Sequence, residues 1–147
     1  MHELPPELMS RLTSISEEAD ALARKGSYSE ALAKFNEAWS SIPEPKNEWE
    51  ASTWLLAAIG DVCFLGGFFI SGSEALRYAT YCPGGLGNPF IHMRLGQCEL
   101  ERGEMGEAAE HLCRAYALEG KDIFKAELPK YFEFLQSKIE PPASGVW

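Results

Sequence analysis

Basic residues are scarce in this sequence and nowhere clustered. Only 13 Lys and Arg stand against 22 Asp and Glu, a formal net charge of -9. Such a chain repels phosphate backbones and anionic lipid, which argues against direct nucleic-acid or membrane binding and favours basic partners. Cysteines are few, and no two are close. Cys63, Cys82, Cys98 and Cys113 stand 19, 16 and 15 residues apart, a spacing that suits neither a zinc site nor a dense disulfide framework. They read as reduced cytosolic thiols used as small core residues. Met1-His2-Glu3 followed by Pro5 and Pro6 lacks the basic and apolar regions of a signal peptide, so a cytoplasmic location is expected.

Catalytic signatures are also missing. There is no G-x-S-x-G nucleophile elbow. The loop Gly84-Gly85-Leu86-Gly87 lacks the Lys-Ser/Thr of a phosphate-binding loop and follows no strand, so it reads as a connector. His2 is terminal. His92 and His111 fall on different expected helices without Cys or Glu at ligand spacing, and His111 with Glu107 reads as an exposed i,i+4 pair. Neither a metal nor a cofactor is expected, and the chain does not read as an enzyme. The one long apolar run, Trp54 to Gly72, carries Asp61 near its middle and Gly66-Gly67, and it lacks basic flanks. An acid there would cost about 2.5–3.5 kcal/mol on insertion. The run reads as a buried central helix that breaks at the glycines.

What the sequence does contain is helical periodicity. Residues 1–50 hold ten acids and five bases, residues 99–147 hold ten and six, and residues 51–98 hold two of each. The acidity therefore lies at the two ends and the middle forms the core. The length of 147 residues suits one domain, expected over 1–140, with a loose tail over 141–147. Leu8, Leu12, Ile15, Ala19 and Leu22 recur at helical spacing behind Pro5-Pro6, and Lys25-Gly26 ends that helix. A second helix carries Ala31, Leu32, Phe35, Ala38 and Trp39 and stops at Pro43. Asn47 with Glu50 resembles a capping box for the third. A shorter fourth helix is expected from about Ser73. Asn88 and Pro89 open a fifth, which hinges at Gly103 into a sixth. Pro129 opens a last helix that covers the end of the stack.

Small residues occur where helices must approach closely. From Ile15 the chain supplies Ala19, Leu22, Gly26, Tyr28, Ala31, Phe35, Ala38 and Pro43; from His92 it supplies Leu95-Gly96, Gly103, Met105, Ala108, Leu112 and Ala115. Leu56, Ile59-Gly60, Cys63 and Gly67 match the first half of a middle unit, whose second half reads as displaced by about three residues. This pattern resembles the tetratricopeptide (TPR) repeat. The resemblance covers roughly residues 12–120. It implies an all-α fold of about three antiparallel TPR-like hairpins forming a short right-handed superhelix with a C-terminal capping helix.

A narrower likeness rests on Asn88-Pro89-Phe90, Arg94-Leu95-Gly96-Gln97, Arg114-Ala115-Tyr116, Ile123-Phe124 and Pro129-Lys130-Tyr131-Phe132. These segments resemble a family of small bacterial TPR proteins similar to the immunity proteins of secreted polymorphic toxins. That resemblance implies a non-catalytic binder of a basic toxin domain, a nuclease among the options. The other reading is a general TPR adaptor or secretion chaperone that holds a peptide or amphipathic helix in its groove.

The TPR register places Ser16, Asp20, Arg24, Trp54, Ala57, Asp61, Phe64, Phe90, Met93, Gln97 and Glu101 along the groove. Glu99, Glu101, Glu104, Glu107 and Glu110 form an acidic face on the last hairpin. The candidate partner-binding set is therefore Asp20, Arg24, Trp54, Asp61, Phe64, Phe90, Met93, Gln97, Glu101 and Glu104. An acid inside an apolar helix must either pair with a buried base or face the groove. Asp61 has both options, with Arg94 the base.

Overall fold

A computed structural model describes residues 3–147. Seven α-helices follow one another: α1 (Pro6–Arg24), α2 (Tyr28–Ser40), α3 (Glu50–Gly66), α4 (Phe69–Ala79), α5 (Pro89–Glu101), α6 (Met105–Glu119) and α7 (Pro129–Lys138). Two 3-10 turns, Lys46–Glu48 and Lys121–Phe124, precede α3 and α7. Among the described residues there is no strand, as the helical periodicity led us to expect. No described helix is long and apolar enough to cross a membrane.

Consecutive helices pack as pairs, α1 with α2, α3 with α4 and α5 with α6, and each pair stacks on the next. A glycine closes every pair. Gly26, Gly67 and Gly103 have φ of 81°, 81° and 83°, a left-handed conformation that disfavours any residue with a Cβ. The turns are short, so paired helices run antiparallel. Seven residues before each turn glycine lie Ala19, Gly60 and Gly96; nine after it lie Phe35, Leu76 and Leu112. All six are buried. A Cβ on Gly60 would sit 2.3 Å from Leu76, and one on Gly96 would sit 2.7 Å from Leu112. The large side chain of the second helix thus occupies the space that the small residue of the first leaves free.

The same frame corrects the expected displacement of the middle unit. Gly72 stands five residues after Gly67, as Ala31 does after Gly26 and Ala108 after Gly103. Alanine is absent there because its Cβ would come within 2.9 Å of the Cys98 sulfur and 3.2 Å of Cys63 Cβ. Helix α4 accordingly begins at Phe69, not near Ser73. The expected capping box at Asn47 is not formed. Residues 46–48 make a 3-10 turn, and Lys46 turns back to donate to the Trp39 and Ile42 carbonyls at 2.7 and 2.8 Å. Asn88 does cap α5, accepting from the Ile91 N–H at 3.2 Å.

The main core spans α1 to α5 and includes Leu12, Phe35, Leu55, Leu76 and Leu95. A second core at the C-terminal end joins Met93, Leu112, Ala115, Phe124 and Leu135. Cys63, Cys82 and Cys98 are buried with free thiols. Burial pushes Cys63 up to about 11 and Cys98 up to about 12, which leaves both thiols protonated and inert near neutrality. In the segment expected to be loose, Trp147 meets Tyr116 and Phe132 edge-on, with ring centroids 5.8 and 5.9 Å away.

Candidate functional site

Helix α5 organises the polar side chains. Every residue from Ile91 to Glu99 is buried, because α3 and α4 cover one side of the helix and α6 and the C-terminal segment the other. A helix buried all round that carries charge must pair that charge internally. Two stripes achieve this. Residues 90, 94, 97 and 101 face α3 and the C-terminal segment, while 92, 96 and 99 face α4 and α6.

Arg94 is the centre of the first stripe. Its Nε donates to Asp61 Oδ1 at 2.8 Å, and its Nη1 donates to Gln97 at 2.8 Å and to Glu127 at 2.5 Å. Gln97 also donates to Glu127, at 2.9 Å. The guanidinium lies over the rings of Phe64 and Phe90, 4.6 and 5.2 Å from their centroids, a cation–π arrangement. Asp61 therefore pairs with the buried base. One turn further, Glu101 accepts from the Tyr131 hydroxyl at 2.6 Å and pairs with Lys130 at 2.7 Å. Burial, then the neighbouring Glu101, pushes the Tyr131 phenol far above its ordinary value.

The second stripe holds Glu99, 1 % exposed. It accepts from Ser73 and from Arg77 and Arg102, the last two at 2.8 Å. Burial pushes its carboxyl up, but the hydrogen bonds of Ser73 and Arg102 and the two guanidinium charges outweigh burial and hold it below the usual range. Further along, His92 Nδ1 lies 3.1 Å from His111 Nδ1, and His92 Nε2 lies 2.6 Å from the Leu86 carbonyl.

The candidate residues thus separate into groups. Asp61, Phe64, Phe90 and Gln97 come together around Arg94, with Glu101 beside them. The chain's own Glu127 and Tyr131 already occupy that face. Met93 is core, 2 % exposed, and Gln97 is fully buried, so neither presents a surface to a partner. Glu127, in the turn before α7, and Tyr131 of α7 cover the Arg94 side of α5. Asp20, Arg24 and Glu104 are exposed, and Trp54 is 38 % exposed. The acidic face also shrinks: Glu99 is internal and Glu101 is tied to α7, which leaves Glu104, Glu107 and Glu110.

Sequence reasoning missed the roles of Glu99, Glu127 and Tyr131 and the His92–His111 contact. A signal existed for two of them. His92 and Glu99 lie four residues before and three after Gly96, on the face whose burial Gly96 already implied. No family model matches this chain, and no curated protein matches it.

Proposed function

We propose that this chain is a non-catalytic, TPR-like protein-binding module that neutralises a basic toxin domain by covering its active face. The three hairpins would wind into a short right-handed superhelix with α7 as the cap. Recurrence of the same small and large residues about each turn glycine supports that repeat reading. The observation that carries the choice of partner is the filled face around Arg94. On the TPR reading, Glu127 and Tyr131 would occupy the groove a linear peptide needs, which disfavours the peptide-holding adaptor and favours a folded partner met on the outer surfaces.

Those surfaces have suitable chemistry. Trp54 lines a pocket of about 320 Å³ with Leu4, Pro6, Met9 and Ala51, and Glu3 and Glu50 lie at the same pocket. An indole anchor beside carboxylates suits a basic protein surface, and the net charge of -9 would accelerate its approach. Exposed Glu104 extends the acidic surface at the other end. A nuclease toxin fits this description, because its substrate channel must itself be basic. The protein would act in the cytoplasm, where such a toxin acts.

Co-expression with the folded basic domain that co-purifies with the protein tests the reading. Growth should be restored, and Trp54→Ala combined with Glu104→Lys should restore it poorly although the variant stays folded. Continued killing in cells that contain abundant folded wild-type protein would exclude the proposal.

A further inference from the structure

The histidine pair has a consequence independent of any protein partner. The Leu86 carbonyl can only accept, so His92 Nε2 at 2.6 Å must carry a proton. When His92 carries that proton alone, its Nδ1 is a bare lone pair. His111 Nδ1, 3.1 Å away, is the donor to it. This relay fixes the His111 tautomer: Nδ1 protonated, Nε2 unprotonated. The His111 residue is only 8 % exposed, and its Nε2 lies 3.5 Å from the Glu107 carboxylate.

Glu107, Glu110 and His111 sit at i, i+3 and i+4 of α6, and their ligand atoms all lie within 4.8 Å of one another. Arg77 reaches the Glu107 carboxylate at 3.4 Å and Arg114 the Glu110 carboxylate at 3.2 Å. Each carboxylate has about four lone-pair sites, so one guanidinium apiece leaves room for a cation.

We propose that His111 Nε2, Glu107 and Glu110 bind a first-row divalent cation such as Zn²⁺, with water in the fourth position and His92 as the positioning residue behind His111. The donor set is one imidazole and two carboxylates, which suits Zn²⁺. Ligand bonds of about 2.0–2.1 Å at tetrahedral angles put donors roughly 3.3 Å apart. The two carboxylates, on partly or fully exposed stems, close that gap by rotation. A ligating histidine whose other ring nitrogen is tied to a fixed acceptor is the usual support of such a site. Here that support continues through His92 to the loop that carries Leu86. A bound ion would therefore hold this loop against α6.

Zn²⁺ titrated calorimetrically into the full-length protein, with Co²⁺ absorption reporting ligand type, tests the assignment. We expect one ion per chain. Glu107→Gln and Glu110→Gln should each weaken binding at least about tenfold, and His92→Gln about 10–100-fold without removing a ligand. Circular dichroism would verify that each variant is folded. The surface variant Glu110→Gln keeps the test decisive if a buried substitution unfolds the protein. Equal affinity in wild type and both glutamate variants would overturn the site, since the ion would then reside elsewhere. Absence of binding would overturn it as well. Either failure leaves the toxin-binding proposal intact, because no partner enters the measurement.

Discussion

The first and last hairpins share a backbone frame and differ in what they bury. In α1–α2 the interface is apolar, with Leu12, Ala19, Ala31, Phe35 and Ala38 buried and Ser16 the only buried polar residue. Its ion pair, Lys34 with Glu18 at 3.0 Å, lies on the surface with side chains 40 % and 59 % exposed. In α5–α6 the same spacing of small residues accommodates buried His92, Arg94, Gln97, Glu99 and His111. The frame alone therefore does not select an apolar joint. It needs close approach of two helices, and neighbouring elements determine whether the rest of the face is oil or charge.

The difference has an energetic meaning. Buried charges seldom stabilise more than well-packed hydrophobic residues of equal size, but removing one partner is costly. The charges of α5 reach three other parts of the chain: Arg94 pairs with Asp61 on α3 and with Glu127 ahead of α7, and Glu99 pairs with Arg77 on α4. Our hypothesis is that they specify how α5 and the C-terminal segment sit together, whereas the first hairpin has no buried charge and is held chiefly by apolar packing.

Three measurements would break or sharpen this contrast. The largest effect is expected from Arg94→Met, which leaves Asp61 and Glu127 without their shared base. It should cost about 3 kcal/mol in urea unfolding, at the lower end for a broken buried pair because Asp61 is 34 % exposed. A loss no greater than a surface substitution would remove Arg94 as a structural centre.

Next comes a comparison at equivalent positions. Gly96→Ala should cost about 1–3 kcal/mol, because the new methyl meets Leu112 at 2.7 Å. The reverse change in the first hairpin, Ala19→Gly, should cost only about 1 kcal/mol through helix propensity. If Gly96→Ala proved neutral, the close-approach account of the frame would be wrong.

The smallest effect concerns acid. Glu99 and Glu101 both sit below the ordinary carboxylate value in the folded state. Burial opposes this in each, and hydrogen bonds with neighbouring cations overcome it. A depressed folded value contributes stability that is present above the unfolded pKa of about 4.3 and is lost as pH falls through the folded value. Hydrogen exchange below about pH 4.5 should accordingly loosen α7 and α5 before α1 and α2. Glu99→Gln should flatten that dependence. Simultaneous loosening of both ends would argue against a special role for the α5 carboxylates.

Much of the architecture was readable before any coordinates. Proline and glycine punctuation located the hairpins, and apolar periodicity placed Leu12, Phe35 and Leu112 inside. The errors came from side chains that obey tertiary neighbours. Gly72 was not recognised as the counterpart of Ala31, because only Cys63 and Cys98, brought in by other helices, explain why a methyl is forbidden there. Glu99 reads as part of a solvated face because the other four acids of the run, Glu101, Glu104, Glu107 and Glu110, are exposed or half-exposed. Its burial depends on Ser73 and Arg77 from α4.

The sequence by itself determined the helices, their turns and the spacing of the contacts between them, since these follow from backbone preferences and steric size within a few residues. Tertiary structure alone decided which charges are internal and which surfaces stay open. Asp61 could have faced solvent or a base, and the choice rests on Arg94, 33 residues away. Glu127 and Tyr131 close the face around it from a segment no local pattern connects to α3. Charge burial is a property of what surrounds a side chain, and for α5 those surroundings come from four other parts of the chain.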